Sequence, residues 1–238
     1  MKKRQKIRRT IVFLLFLLFP VYINFLSPVL IIGGAYEGII NGSFIVFGIL
    51  FFVTLFGGRL WCGWVCPAGG LQESCEPFVR KTRTKNWGLL IKYIYWVSWL
   101  GLIAMFFIKA GGVKSINFFY MSGSGISILD DIIVIVYLSV ILLIFILNVT
   151  LGQRSFCKYV CWMSPFMEIG NNLRFTFKLP GLRLKADSDA CISCGKCNKT
   201  CPMSIDVQTN VSKGMITDIN CHMCYQCADV CPNGCIHN

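Results

Sequence analysis

Fourteen cysteines in 238 residues carry the chemistry of this sequence, and nine of them lie in its last 48 residues. There the chain reads Cys191-x2-Cys194-x2-Cys197-x3-Cys201-Pro202, then Cys221-x2-Cys224-x2-Cys227-x3-Cys231-Pro232. Thiolates are the common protein ligands of iron–sulfur clusters, and three at two-residue intervals in an irregular loop can reach three irons of one cubane. The fourth cysteine, turned away by its proline, reaches the other cluster. This pattern assigns Cys191, Cys194, Cys197 and Cys231 to one [4Fe-4S] cluster, and Cys221, Cys224, Cys227 and Cys201 to a second. Zinc is the competing occupant, but zinc knuckles are two C-x2-C pairs separated by a longer gap, without a closing Cys-Pro.

A second cysteine set lies upstream and is repeated. The stretch RLWCGWVCPAGGLQE, from Arg59 to Glu73, returns at a constant offset as RSFCKYVCWMSPFME, from Arg154 to Glu168. Arg59 matches Arg154, Trp61 Phe156, Trp64 Tyr159, Leu71 Phe166 and Glu73 Glu168, while Cys62 and Cys66 match Cys157 and Cys161. Duplication of this kind marks an internal structural repeat. One Cys-x3-Cys motif supplies two ligands and two motifs supply the four that a cubane needs, so a third [4Fe-4S] site is expected from Cys62, Cys66, Cys157 and Cys161. Free thiols also fill helix ends as small hydrophobes, but recurrence with their neighbours argues against that reading. The aromatic neighbours serve equally well as a dry wall or as interface anchors. Trp162 stands where the first copy has Pro67, which sets the geometry of the second pair apart. Cys75 and Cys235 are left over as structural or free thiols.

The elements that hold these cysteines are apolar. The chain is 55% hydrophobic and 14% charged, beyond the range of ordinary soluble proteins. Four segments approach the 20 or so apolar residues of a membrane span: Ile11 to Gly33, Ser43 to Leu60, Trp87 to Ile108 and Ile132 to Leu151. Lys92, near the polar end of the third, is expected to snorkel to the headgroups. The net charge of +12 falls before the first span, between the second and third, and after the fourth. The opposite loops hold only Lys109 and Lys114. This asymmetry places both termini in the cytoplasm and accounts for the charge without nucleic acid. Arg8 and Arg9 precede an apolar run longer than an export signal's and with no A-x-A-like site after it, so the N-terminus reads as an uncleaved anchor. In the reducing cytoplasm the cysteines ligate in preference to forming disulfides. After Lys185 the apolar runs cease. The expected fold is therefore an all-α four-helix transmembrane domain of two parallel hairpin repeats over residues 1–186, then an α+β dicluster ferredoxin over residues 187–238. The mildly acidic tail is expected to dock on the basic cytoplasmic loops.

The strings CNKTCPMSIDV and GMITDINCHMCYQCADVCP, the four spans and RLWCGWVCP together resemble the NapH-type membrane ferredoxins, and more distantly the NosR-type and CcoG-type membrane iron–sulfur proteins. The resemblance implies one-electron transfer between the quinone/quinol pool and a partner redox protein at the cytoplasmic membrane of a prokaryote. It leaves open a CcoG-like copper reductase, with the membrane cysteines handling the metal, and a redox-sensing regulator or assembly factor. Quinol oxidation sheds protons, for which Glu73 and Glu168 are weak candidate acceptors near the cysteines. Glu37, Asp130 and Asp131 lie on the far side, the last two equally explained by the dipole of the fourth span. Both histidines, His222 and His237, are in the tail, so no imidazole pair for a membrane haem exists. The loop MSGSGIS resembles no phosphate cradle and lacks a flavin-attachment sequence, so no flavin is expected.

Overall fold

The computed structural model describes residues 2–79, 86–121 and 131–237. Arg80 to Lys85, Asp130 and most of the MSGSGIS loop lie outside the described residues. The first expected span is broken instead of continuous. Helix α1 (Lys3–Leu17) meets α2 (Phe19–Tyr22) and the 3-10 turn Ile23–Leu26 with a bend of 57°. Pro20 supplies no N–H at this break. A second proline starts α3 (Pro28–Glu37), where Ser27 Oγ accepts from Leu30 N at 3.4 Å.

Helix α4 (Gly42–Gly57) starts where Asn41 Oδ1 accepts from Phe44 N at 3.0 Å, and stops at Gly58, whose φ of +62° favours glycine. Its 16 residues extend about 24 Å at 1.5 Å per residue, less than a bilayer core. Two short helices follow, α5 (Leu60–Trp64) and α6 (Pro67–Ser74). Then come the long apolar α7 (Asn86–Lys109) and α8 (Asp131–Leu151). Among the described residues α7 and α8 are each long and apolar enough to cross a membrane, and the bent α1–α2 pair makes a third candidate. On the side away from the cysteines, β1 (Ile39–Asn41) pairs in parallel with β2 (Ser115–Asn117).

After α8 the chain repeats its earlier path through α9 (Ser155–Tyr159) and α10 (Met163–Thr176). The backbone of the two cysteine turns agrees closely. Val65 has φ −125° and ψ −30°, Val160 φ −122° and ψ −29°. Cys66 N donates to Trp61 O and Cys161 N to Phe156 O, both at 2.9 Å. With Trp162 in place of Pro67, the next helix begins one position later in the second copy and runs longer, 14 residues against 8.

The tail holds less sheet than an α+β fold implies. Its strands β3 (Lys185–Ala186) and β4 (Ile236–His237) are two residues each and antiparallel. Cysteine loops occupy most of the remaining chain, with α11 (Lys196–Thr200), α12 (Val207–Val211) and α13 (Gln226–Val230) between them. Leu184 is buried in the tail's core with Val207, Val211 and Ile216, so the compact unit begins slightly before the expected boundary at residue 187. The two loops are backbone copies. Ser193 and Met223 take φ of 53° and 54°, Gly195 and Tyr225 68° and 62°. Cys201 and Cys231 are extended at φ −66°, ψ 117° and φ −67°, ψ 118°.

A candidate iron–sulfur centre

The turns before α6 and α10 bring Cys62, Cys66, Cys157 and Cys161 close enough to act on one another, Cys62 and Cys157 buried and Cys66 and Cys161 half-buried. Burial pushes the Cys66 thiol up to about 12, and the Cys62 and Cys157 thiols push it further. Cys161 is raised by burial and then by Cys157, Cys66 and Cys62. Each neighbouring thiolate disfavours the charged form of these two thiols. The two halves are interleaved at this point. Gln72 Nε2, on the first copy, donates to Cys157 Sγ at 3.2 Å. Met167, the equivalent position of the second copy, accepts from Cys62 Sγ at 3.1 Å.

Crossed ion pairs surround the thiols. Glu168 accepts from Arg59 Nη1 at 3.2 Å, from Lys92 Nζ at 2.7 and 2.8 Å, from Tyr93 at 2.6 Å and from Ser164 at 2.7 Å. Glu73 accepts from Arg8 at 2.8 and 2.9 Å and from Arg154 Nη2. Burial would raise both carboxylates, but Arg154 and Arg8 hold Glu73 below its ordinary value, and Arg59 and Lys92 do the same for Glu168. A carboxylate gripped by two cations is a poor proton acceptor at neutral pH, and both Glu73 and Glu168 are gripped in this way. Lys92 does not snorkel. It is fully buried, because Glu168 satisfies its charge inside the protein. Glu37 is exposed at the end of α3, on the far side from the thiols.

In the tail, one cavity is lined by Cys191, Cys194, Cys197 and Cys231, and a second by Cys201, Cys221, Cys224 and Cys227. Each contains three cysteines of one loop and the last cysteine of the other, which is the crossed set expected from the spacing. Cys235 also lines the first cavity, 3.0 Å from Cys231 Sγ.

The second tail loop sits on the upstream motif. A Cβ on Gly63 would lie 2.1 Å from the His222 carbonyl oxygen, so only glycine permits this approach. Trp64 Nε1 donates to Met223 O at 2.9 Å and Gln5 Nε2 to Cys224 O at 2.9 Å, while Arg4 pairs with Asp229 at 2.7 Å. The acidic tail thus pairs with the N-terminal helix α1, where docking on the basic cytoplasmic loops was expected. His222 is buried, and burial together with Arg154, Arg8, Arg59 and Lys158 keeps its imidazole neutral. The spacing of the cysteines gave no signal for this role of His222, nor for those of Gln72 and Met167.

These donor sets fit iron–sulfur clusters. Arg59 Nε, Arg154 Nε and His222 Nε2 are buried without a hydrogen-bond partner, and cluster sulfides and ligating thiolates are acceptors that such groups tune. Arg59 is charged beside Cys62 and Cys157, and Arg154 beside Cys157 and Cys66, which offsets the negative charge that four thiolates bring. Among the described residues no three His, Cys, Asp or Glu side chains gather closely enough to hold a single metal ion.

Comparison with known proteins agrees. A 4Fe-4S binding domain family matches the chain twice, at residues 42–86 and 133–180, and a 4Fe-4S dicluster domain family matches residues 183–232. The chain is 26% identical to the uncharacterized protein MJ0749 of Methanocaldococcus jannaschii over 76% of its own length and 65% of that protein. It is 27% identical to the methylamine utilization ferredoxin-type protein MauN of Paracoccus denitrificans over 63% of its length, and 22% identical to YccM of Escherichia coli, named for electron transport, over 76%. It spans half the length of each of the last two. No solved structure matches it. Two copies of one 4Fe-4S binding domain followed by a dicluster domain, with the cysteines gathered accordingly, make the chain similar to ferredoxin-type iron–sulfur proteins.

Proposed function

We propose that this protein passes electrons between the quinone/quinol pool of a prokaryotic cytoplasmic membrane and a partner redox protein, as its NapH-type resemblance implies. The contact between Gly63 and the His222 carbonyl carries the reading, because it puts the second tail loop directly against the upstream cysteine motif. Each [4Fe-4S] cluster supplies a one-electron couple whose potential follows the charges and hydrogen bonds around its sulfurs. Cys191, Cys194, Cys197 and Cys231 hold one, and Cys221, Cys224, Cys227 and Cys201 a second. Cys62, Cys66, Cys157 and Cys161 hold a third, with Arg59 and Arg154 balancing their charge and Glu73 and Glu168 fixing those arginines. Cys194 is exposed beside the exposed Ile192, so the first tail site faces the partner.

The α1–α3 segment, α4, α7 and α8 form four spans in two parallel hairpins, with both termini cytoplasmic. Oxidation of a quinol to a quinone releases two electrons and two protons, and at a cytoplasmic surface the protons enter water. The test is the anaerobically purified full chain. About twelve irons per chain, four for each of three clusters, and bleaching of the cluster absorption by a reduced quinol analogue are expected. About eight irons would remove the third cluster. Bleaching by dithionite but not by the quinol would remove the quinone link.

A further inference from the structure

Gln72 and Met167 occupy the same position of the two copied stretches, and each reaches across to the first cysteine of the other copy. Gln72, buried on α6, sets its Nε2 3.2 Å from Cys157 Sγ, while Met167, buried on α10, sets its Sδ 3.1 Å from Cys62 Sγ. Arg59 and Glu73 of the first copy recur as Arg154 and Glu168 of the second. This position does not recur: it carries an amide in one copy and a thioether in the other.

Two observations show that the amide is held as a donor. Its Nε2 faces two acceptors, Cys157 Sγ and Ala68 O at 3.0 Å, so exchanging its nitrogen and oxygen would lose both hydrogen bonds. Its Oε1 is buried without a partner, so the N–H contacts alone orient the side chain. Ala68, one turn back on the same helix, satisfies only one of the two N–H groups, and the other remains for Cys157. A thioether has no hydrogen to give, so Met167 cannot do the same for Cys62.

We infer that Gln72 raises the reduction potential of the third cluster by donating to the ligating sulfur of Cys157, and that Cys62, facing Met167, lacks this amide donor. The inference rests on the reading above, in which Cys62, Cys66, Cys157 and Cys161 hold a cluster. Reduction adds a negative charge to a site that already carries four thiolates, and a donor on one of those sulfurs stabilises the reduced form more than the oxidised form. Gln72 acts through Cys157 and not on iron itself. It shifts the sharing of an electron toward the third site and away from the second tail site, whose loop rests on Gly63.

The test is a redox titration of the anaerobically purified full chain, with each cluster followed by electron paramagnetic resonance and the iron counted in parallel. Gln72→Met puts into the first copy the residue that the second copy carries. It is expected to keep about twelve irons and to lower the ratio of reduced to oxidised third cluster at a fixed potential about fivefold, with both tail clusters unchanged. Met167→Gln adds a donor facing Cys62 and is expected to raise that ratio by a similar factor. Combining the two moves the donor to the other copy and is expected to return the potential close to that of the wild type, a rescue that a merely structural role for Gln72 would not give. A wild-type chain with about eight irons overturns this inference together with the third cluster. About twelve irons and an unchanged potential in Gln72→Met overturn this inference alone. If Gln72→Met loses about four irons, the combined variant decides. Iron restored at the wild-type potential supports the inference, whereas iron still missing, or restored at a lowered potential, shows that Gln72 only fills space and overturns it.

Discussion

Arg59 of the first copy pairs with Glu168 of the second at 3.2 Å, and the equivalent Arg154 pairs back with Glu73 of the first. Each carboxylate also takes one cation from a helix outside the two copied cysteine stretches, Arg8 from α1 or Lys92 from α7. The two halves are thereby locked face to face around the four thiols, and neither half can complete its charges alone.

Glu168→Gln is therefore expected to destabilise the membrane part by about 3–5 kcal/mol, because it leaves Arg59 and Lys92 buried without a counter-charge. Thermal unfolding in detergent measures this. Pairing it with Lys92→Met should recover part of the loss, and a double variant no better than the single would show that the pair is not coupled.

The same pairs set an acid limit. Glu73 and Glu168 are held below their ordinary value of 4.5 in the folded chain. Their contribution is complete above that value and is lost as pH falls through the lower folded-state values. An unfolding profile from pH 7 downward should show stability falling below about 4.5, with a shallower fall in Glu73→Gln, where one of the two groups no longer titrates.

In the tail, Cys231→Ala and Cys191→Ala should weaken the same cluster signal in electron paramagnetic resonance, and Cys201→Ala should weaken the signal lost in Cys221→Ala. The cavities place these residues together although 40 and 20 positions separate them. Signals grouped by loop, with Cys201 alongside Cys191, would refute the crossed sets.

Gly63→Ala should loosen the tail. Its Cβ cannot occupy the 2.1 Å left by the His222 carbonyl, and the backbone displacement costs about 1–3 kcal/mol. Tryptic cleavage at the exposed Lys178, in the connection between the two parts, should accelerate. Gly101→Ala, at an open position, should leave the rate unchanged.

The tail's cysteine sets were legible because ligation is local: each loop needs only its own spacing, and the proline after its last cysteine directs that residue across. The Cys-x3-Cys duplication was legible for a similar reason, since a shared turn leaves a shared string. The broken first span was not, although Pro20 stands in the sequence, because proline kinks and helix ends look alike until neighbouring helices are placed.

The fates of Glu73, Glu168 and Lys92 belong to the tertiary structure alone. As single residues near an apolar boundary they read as solvated or snorkelling groups, and hydropathy carries no information about a partner 76 or 109 positions away. His222 shows the same limit: its spacing marks it as a residue between ligands, while its burial against Gly63 follows from docking the whole tail. Sequence determined which atoms can bind iron, since that depends on side-chain chemistry and short-range spacing. Which charges meet around those atoms depends on how distant segments pack, and only the folded chain decided it.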